Sequence, residues 1–356
     1  MILICALLIT ALSLLTLYGG VEKFTVKRVL VQGVSAALGV GCMVLISLFD
    51  YDTFIQKLTI PIFAFSVFSL LLVKVIGTGD GNVNWIEIPG LPVSIQPSEF
   101  VKIFFIITFA KHIDRVKVNL NHIKNVAALA LHAGIIIGLI LLTGDLGSAI
   151  VYIAVMAAML FAAGLSLWYF AIVIALAVVL FPYLWTLLKD YQRARIIYGF
   201  NPEGDPELYG YQPLLSRRAI SAGGFRGLGL TGGNLYKSLP IAESDFLFAV
   251  MSEKFGFLGG FVYMVLMSII VVRILYIARS ARKDYGAYIC VGVVAVFMAQ
   301  TLENIGMCLA MLPVIGITLP FFSYGGSSML AMYLCLGVVQ SIHTHNKKYY
   351  FERETT

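Results

Sequence analysis

Two charged side chains open an otherwise apolar run. In QPSEF at 96–100 and the residues that follow, Glu99 and Lys102 stand three apart at the head of a hydrophobic stretch. Residues at that spacing share one face of a helix. A charge at the centre of a membrane helix costs roughly 2.5–3.5 kcal/mol, and less near its ends. The two can neutralise each other, either as the wall of a substrate-facing cavity or as a staple between helices. A second concentration of chemistry is SRRAISAGGFRGLGL at 216–230, where Arg217, Arg218 and Arg226 stand among four glycines. Arginine grips phosphate oxygens through a bidentate fork, and glycine lets backbone amides approach an anion closely. The stretch suits a phosphate or diphosphate headgroup, or else an interfacial helix whose arginines snorkel to lipid phosphates. Its glycine pattern matches neither a Walker loop nor a dinucleotide turn.

Downstream, Asp245 stands directly before an apolar run, with Glu243 two residues earlier. An acid there either caps a helix or serves as a base held at the membrane surface beside the arginines. Glu253 and Lys254 lie about two turns further on, facing protein or a cavity. Asp145, in TGDLGSA, sits at a tight turn where capping accounts for it and substrate contact is the alternative. Glu303 lies deep in a later run, flanked by Gln300 and Asn304, which are expected to satisfy it by hydrogen bonds. LPVIGITLPFFSYGGSSML at 312–330 carries two prolines, three glycines and no charge. Such backbone at membrane depth must be buried in protein or line a cavity, so it reads as a packed loop over a pocket, with Ser323 and Ser327 offered to substrate. His132, the one histidine read as intramembrane, is expected to pack.

The elements that position these groups follow from composition. The chain has 356 residues, 60% hydrophobic and 12% charged, with a mean hydropathy of +0.91. Globular chains are about 25% charged, so an integral membrane protein is implied. The net charge of +6 resides in short loops between apolar runs and marks topology, not nucleic-acid binding. The five cysteines (Cys5, Cys42, Cys290, Cys308 and Cys335) lie in apolar runs without metal-type spacing and read as packing residues.

Apolar runs of about 17–25 residues give ten candidate spans, near 2–19, 29–49, 56–76, 97–112, 125–143, 146–164, 167–187, 247–277, 285–311 and 326–343. The first is read as a retained span, not a signal peptide. The expected fold is an all-α integral membrane protein, one polytopic domain over 1–356. Its ten transmembrane helices carry a large extracellular loop, about 188–246, between spans seven and eight, and a short outer loop at about 312–328. Basic residues Lys111, Arg115, Lys117, Lys124, Arg273, Arg279, Arg282, Lys283, Lys347, Lys348 and Arg353 favour cytoplasmic termini. Lys23, Lys27 and Arg28 are the exception, since that topology puts them outside. A connection of about sixty residues is usually functional or disordered. This one holds apolar and aromatic residues throughout, so order against the membrane is expected.

The ordered motifs resemble the SEDS family of RodA-, FtsW- and SpoVE-type proteins. The resemblance rests on NWIEI…IQPSEF at 84–100, GDLGSA at 144–149, AISAGGFRGLGL…LP…SDFLFAV at 219–250 and ENIGM…LPVIGITLPFFSYGGSS at 303–328. It implies a peptidoglycan glycosyltransferase that polymerises lipid II, the undecaprenyl-diphosphate-linked disaccharide-pentapeptide, outside the bacterial cytoplasmic membrane. It implies as partner a class B penicillin-binding protein, a transpeptidase. The family's loop aspartate falls on Asp245 as catalytic residue, its tryptophan before the fourth span on Trp85, and its acid and lysine on Glu99 and Lys102. The sequence departs from the family where an acid often follows the loop proline, here Ile241, and where threonine usually precedes the aspartate, here Ser244. Ala222-Gly223-Gly224 replaces the common Ser-Gly-Gly, and Leu215 stands where glutamine is frequent.

Diphosphate is already a good leaving group, so one carboxylate base can suffice where glycosidases use two. On this reading Asp245 deprotonates a sugar hydroxyl. The departing charge is met by the 217–226 arginines, by Lys102, or by a divalent cation such as Mg or Mn, the one candidate cofactor. A flippase for the same lipid and a scaffold for a transpeptidase are the alternatives.

Overall fold

The structure, a computed structural model, describes residues 1–78, 83–87 and 94–346. Lys347, Lys348 and Arg353 of the basic tail and the middle of the 84–100 motif lie outside the described residues. Helices cover each of the expected apolar runs. They are α1 (Ile2–Gly19), α2 (Val21–Leu48), α3 (Tyr51–Ile76), α4 (Pro97–Val116), α5 (Ile123–Leu142), α6 (Leu146–Ala162) and α7 (Leu167–Leu187). After the long connection, with its α8 (Asp190–Phe200), α9 (Tyr211–Gly223) and α10 (Leu235–Ser238), come α11 (Leu247–Arg279), α12 (Asp284–Cys308) and α13 (Gly326–Thr344). Among the described residues six are long and apolar enough to cross a membrane: α1, α2, most of α3, α5, α11 and α12. Ile86–Glu87 and Ser94–Ile95 form a small antiparallel pair before α4.

The buried centre is made by α12 and α13 with α4, α2 and the first half of α11 around them. Phe297, Phe321 and Tyr333 stack edge to face at 5.3 and 5.2 Å between centroids. By contrast α7 is peripheral, with most of its apolar side chains exposed, as a lipid-facing helix requires. His132 packs against Phe63 at 4.5 Å. It also meets His112 of α4, Nδ1 to Nδ1 at 3.0 Å, so two histidines lie between these helices where one was expected.

The long connection is ordered because α11 is broken to receive it. Gly256 takes φ 65, ψ −160 inside α11, freeing backbone groups that must find partners at membrane depth. The loop supplies them: Phe257 N–H donates to Gly224 O at 2.8 Å, and Leu228 N–H to Glu253 O at 3.0 Å. A Cβ on Gly227 would lie 2.1 Å from Lys254 O, so this glycine permits close contact between loop and helix. Glu253 accepts the Leu235 and Tyr236 N–H groups at 2.9 and 3.0 Å. Lys254 donates to Gly19 O and Leu230 O, each at 2.9 Å. The sequence alone left this acid and this base facing protein or a cavity; they fasten the loop to the end of α1.

That end of α1 also explains the anomalous basic cluster. Gly20 alone links α1 to α2, so Lys23, Lys27 and Arg28 lie on a helix, not in a loop. Lys23 donates to the Tyr236 and Leu239 carbonyls, and Arg28 pairs with Glu243 at 2.6 Å. The charges of Lys23 and Arg28 are thus used by the loop, while Lys27 is exposed.

The 312–325 segment folds back into the bundle. Gln32 Nε2 donates to Ser323 O at 2.9 Å and Asn304 Nδ2 to Ile317 O at 2.7 Å. Buried irregular backbone is thereby satisfied from α2 and α12.

Candidate active site

Where α4, α6 and α11 begin and α12 ends, a cavity of about 400 Å³ opens at the end of the bundle carrying the long connection. Its walls bring together Trp85, Glu99, Lys102, Asp145 and Asp245 from separate parts of the chain. Arg195, Gln212, Gln300, Thr318, Tyr324 and Ser328 are among the further polar residues of the lining.

Each acid is held differently. Glu99 and Lys102, one turn apart on α4, pair at 2.7 Å with side chains 6% and 2% exposed. The second Glu99 oxygen has no partner, so the pair presents acceptor capacity to the cavity. Asp145 does cap α6, accepting from Ser148 N–H at 2.8 Å and Ser148 Oγ at 2.7 Å. It also accepts from Gln96 at 3.2 Å. Capping and cavity lining coexist.

Asp245 is not a cap: α11 starts at Phe246 without a side-chain capping bond. Its backbone is fixed instead, the N–H donating to Ile241 O at 3.2 Å and the carbonyl accepting from Asn304 Nδ2 at 2.9 Å. Ile241 adopts φ +52, a conformation costly for a β-branched residue, and so turns the chain to aim the acid inward. Gly316 lies against the carboxyl, since a Cβ there would be 3.2 Å from Oδ2. Burial pushes the Asp245 carboxyl up to about 6, against the Ser244 hydroxyl, which pulls it down; Glu243 adds to the rise and Arg195 opposes it.

Beside the polar cavity runs an apolar groove of about 510 Å³ between α5, α6 and α8. The two share Asp145, Arg195 and Ile315. Glu303 lines the groove, 8% exposed, and neither of its oxygens has a partner. Asn304 was expected to satisfy it, but spends its amide on the Asp245 and Ile317 carbonyls.

Several residues singled out in the sequence lie elsewhere. Arg217 pairs with Glu203 at 2.9 Å, Arg218 and Arg226 are exposed, and none of the three lines the cavity. Ser323 Oγ accepts the Leu319 N–H at 2.9 Å. Ser327 Oγ donates to Ser94 O and accepts from Gln96 N–H, both at 3.2 Å, so it anchors the wall. The serine of this stretch that lines the cavity is Ser328, its Oγ 2.7 Å from Thr318 Oγ1. Arg195 carried no motif of its own; its one legible signal was a basic residue in a loop otherwise full of aromatics.

A polar cavity beside an apolar groove, within a helical bundle with membrane-length spans, is the architecture of a membrane-embedded protein. The chain belongs to the FtsW/RodA/SpoVE family of cell cycle proteins, whose model matches residues 1–348. It is 33% identical to stage V sporulation protein E of Bacillus subtilis (strain 168), over 91% of this chain and 88% of that one. It is 32% identical to the probable peptidoglycan glycosyltransferase FtsW of Geobacter metallireducens, over 89% and 84%. Identity to the peptidoglycan glycosyltransferase MrdB of Escherichia coli (strain K12) is 34%, over 78% and 76%. Among solved structures, a chain of a peptidoglycan synthase complex that coordinates polymerization and crosslinking superposes with TM-score 0.84 at 26% identity, covering 97% of both chains. RodA of Thermus thermophilus shares the fold, with TM-score 0.73 at 24% identity over 98% and 97%.

Proposed function

We propose that this protein is a peptidoglycan glycosyltransferase that polymerises lipid II at the outer face of the bacterial cytoplasmic membrane. The observation that carries the reading is the Asp245 carboxyl, aimed into a polar cavity that opens onto an apolar groove. Sugar and prenyl chain would thus each have a matching environment. Asp245 takes the proton from the acceptor's 4-hydroxyl. The oxygen attacks the anomeric carbon of the donor, and the bond to the diphosphate breaks with its electron pair leaving on phosphate oxygen. Displacement from the opposite face turns an α-linked donor into a β-linked product. General-base help of this kind is typically worth about 10²–10⁴-fold in rate. Glu99 orients Lys102, and the half-exposed Trp85 offers a flat face to sugar or lipid.

Among the described residues no three carboxylate, histidine or cysteine groups stand close enough to bind a metal by themselves. A Mg or Mn ion would therefore arrive on the substrate's diphosphate, as is common for hard cations that keep their waters. All ten long helices are taken to span the membrane, with the cavity end outside and both termini in the cytoplasm. A class B penicillin-binding protein is the proposed partner, in keeping with the synthase complex that the fold resembles. A flippase would need its polar groups near the midplane of interrupted helices, whereas here they gather at one end of the bundle. A scaffold would need no cavity.

The test is purified protein given labelled lipid II. Wild type should yield long glycan, and Asp245→Asn should fold and bind lipid II but make none. Near-normal polymer from that variant would remove Asp245 as the base.

A further inference from the structure

Resting on that reading, we infer that Arg195 is the residue that binds the donor's diphosphate and stabilises it as it departs, and that the arginines at 217, 218 and 226 do not. A prenyl-diphosphate-linked sugar has three parts in fixed order, polar sugar, diphosphate and apolar tail. In a site with a polar cavity and an adjoining apolar groove, the diphosphate must lie at their junction. Among the described residues Arg195 is the only arginine or lysine that lines both.

It is also uncommitted. Among the described residues no carboxylate forms an ion pair with it, although its charge acts on Asp245 across the cavity, and its guanidinium carbon lies 5.9 Å from the Tyr191 ring. Lys102, the other cation of the cavity, is already neutralised by Glu99 at 2.7 Å. Arg193, two residues away, is consumed at the end of α7, donating to Trp185 O at 3.0 Å and Thr186 O at 2.8 Å. That pairing fastens the start of α8, the helix that carries Arg195, to the end of α7. A guanidinium fork fits two phosphate oxygens at once. As the glycosidic bond breaks, the negative charge that gathers on the diphosphate strengthens this contact, so it favours the transition state over the bound donor.

The full chain in detergent, titrated with undecaprenyl diphosphate and with uncharged undecaprenol, tests the assignment without requiring catalysis. Arg195→Gln should weaken diphosphate binding by about tenfold or more and leave undecaprenol binding unchanged. Arg195→Lys should restore part of the loss, and the combined Arg217→Gln, Arg218→Gln, Arg226→Gln variant should bind as wild type. With lipid II, Arg195→Gln should lower kcat as well as raise KM. Unaltered diphosphate affinity in Arg195→Gln, or its loss in the triple variant, overturns the inference. A wild type that binds undecaprenyl diphosphate through Arg195 yet makes no glycan would instead sink the polymerase reading alone.

Discussion

The base proposed at Asp245 depends on what surrounds that side chain. Removing a carboxylate from water raises its pKa, and here burial takes it to about 6. A base is useful when its pKa lies near working pH. The group must be ionised to accept a proton, so activity is lost as pH falls. The expected result is a kcat/KM profile for lipid II polymerisation with an acid limb near pH 6, flat above it until another group titrates. A limb near the ordinary aspartate value would show that burial does not govern this acid. Stability has the opposite sign: the fold prefers the neutral acid, so its ionisation costs stability as pH rises from the unfolded value through about 6. In the proposed role, activity and stability trade against each other at this one carboxyl.

At the scale of elements, the broken helix α11 does the positioning. Its first part holds Asp245 at its head, and the kink at Gly256 lets the 224–229 backbone bond into the gap. Gly227 sits at φ +81 with Lys254 O 2.1 Å from where a Cβ would be. Gly227→Ala is expected to destabilise the fold by about 1–3 kcal/mol from backbone strain alone, with more from the clash. Gly33→Ala, where a Cβ meets nothing within 4 Å, serves as the control. Thermal unfolding in detergent measures both, and equal midpoints would show that the loop does not depend on this contact. Gly223 and Gly227, two of the glycines that invited an anion in the sequence, are here explained by packing between loop and helix.

For the molecule as a whole, charge and polarity separate along the bundle axis. One end holds the cavity and the long connection, while the other carries Lys117, bridging Asp114 at 3.0 Å and Asp284 at 2.5 Å. Basic residues at the ends of short connections mark the cytoplasmic side, and the proposed topology accordingly has the cavity outside. Single cysteines at the exposed positions Leu208 and Val118 should separate the two faces. A membrane-impermeant maleimide is expected to label Leu208→Cys in intact spheroplasts and Val118→Cys only after permeabilisation. The reverse pattern would put the proposed chemistry in the cytoplasm.

Helical membrane architecture was settled by the sequence itself, because long apolar runs in lipid have no other way to satisfy their backbone. The Glu99–Lys102 pair was legible too, since a spacing of three fixes proximity on any helix. The aspartate before α11 and the tryptophan before α4 could be picked out through family motifs in their order. What the tertiary structure alone decided was which side chains face the cavity from irregular segments. No periodicity relates Arg195 to Asp245, fifty residues apart across turns and short helices. The choice between Ser327 and Ser328 likewise depends on the angle at which α13 leaves its loop. Side-chain direction in a loop is set by the surfaces it packs against, and those surfaces exist only once the chain has folded.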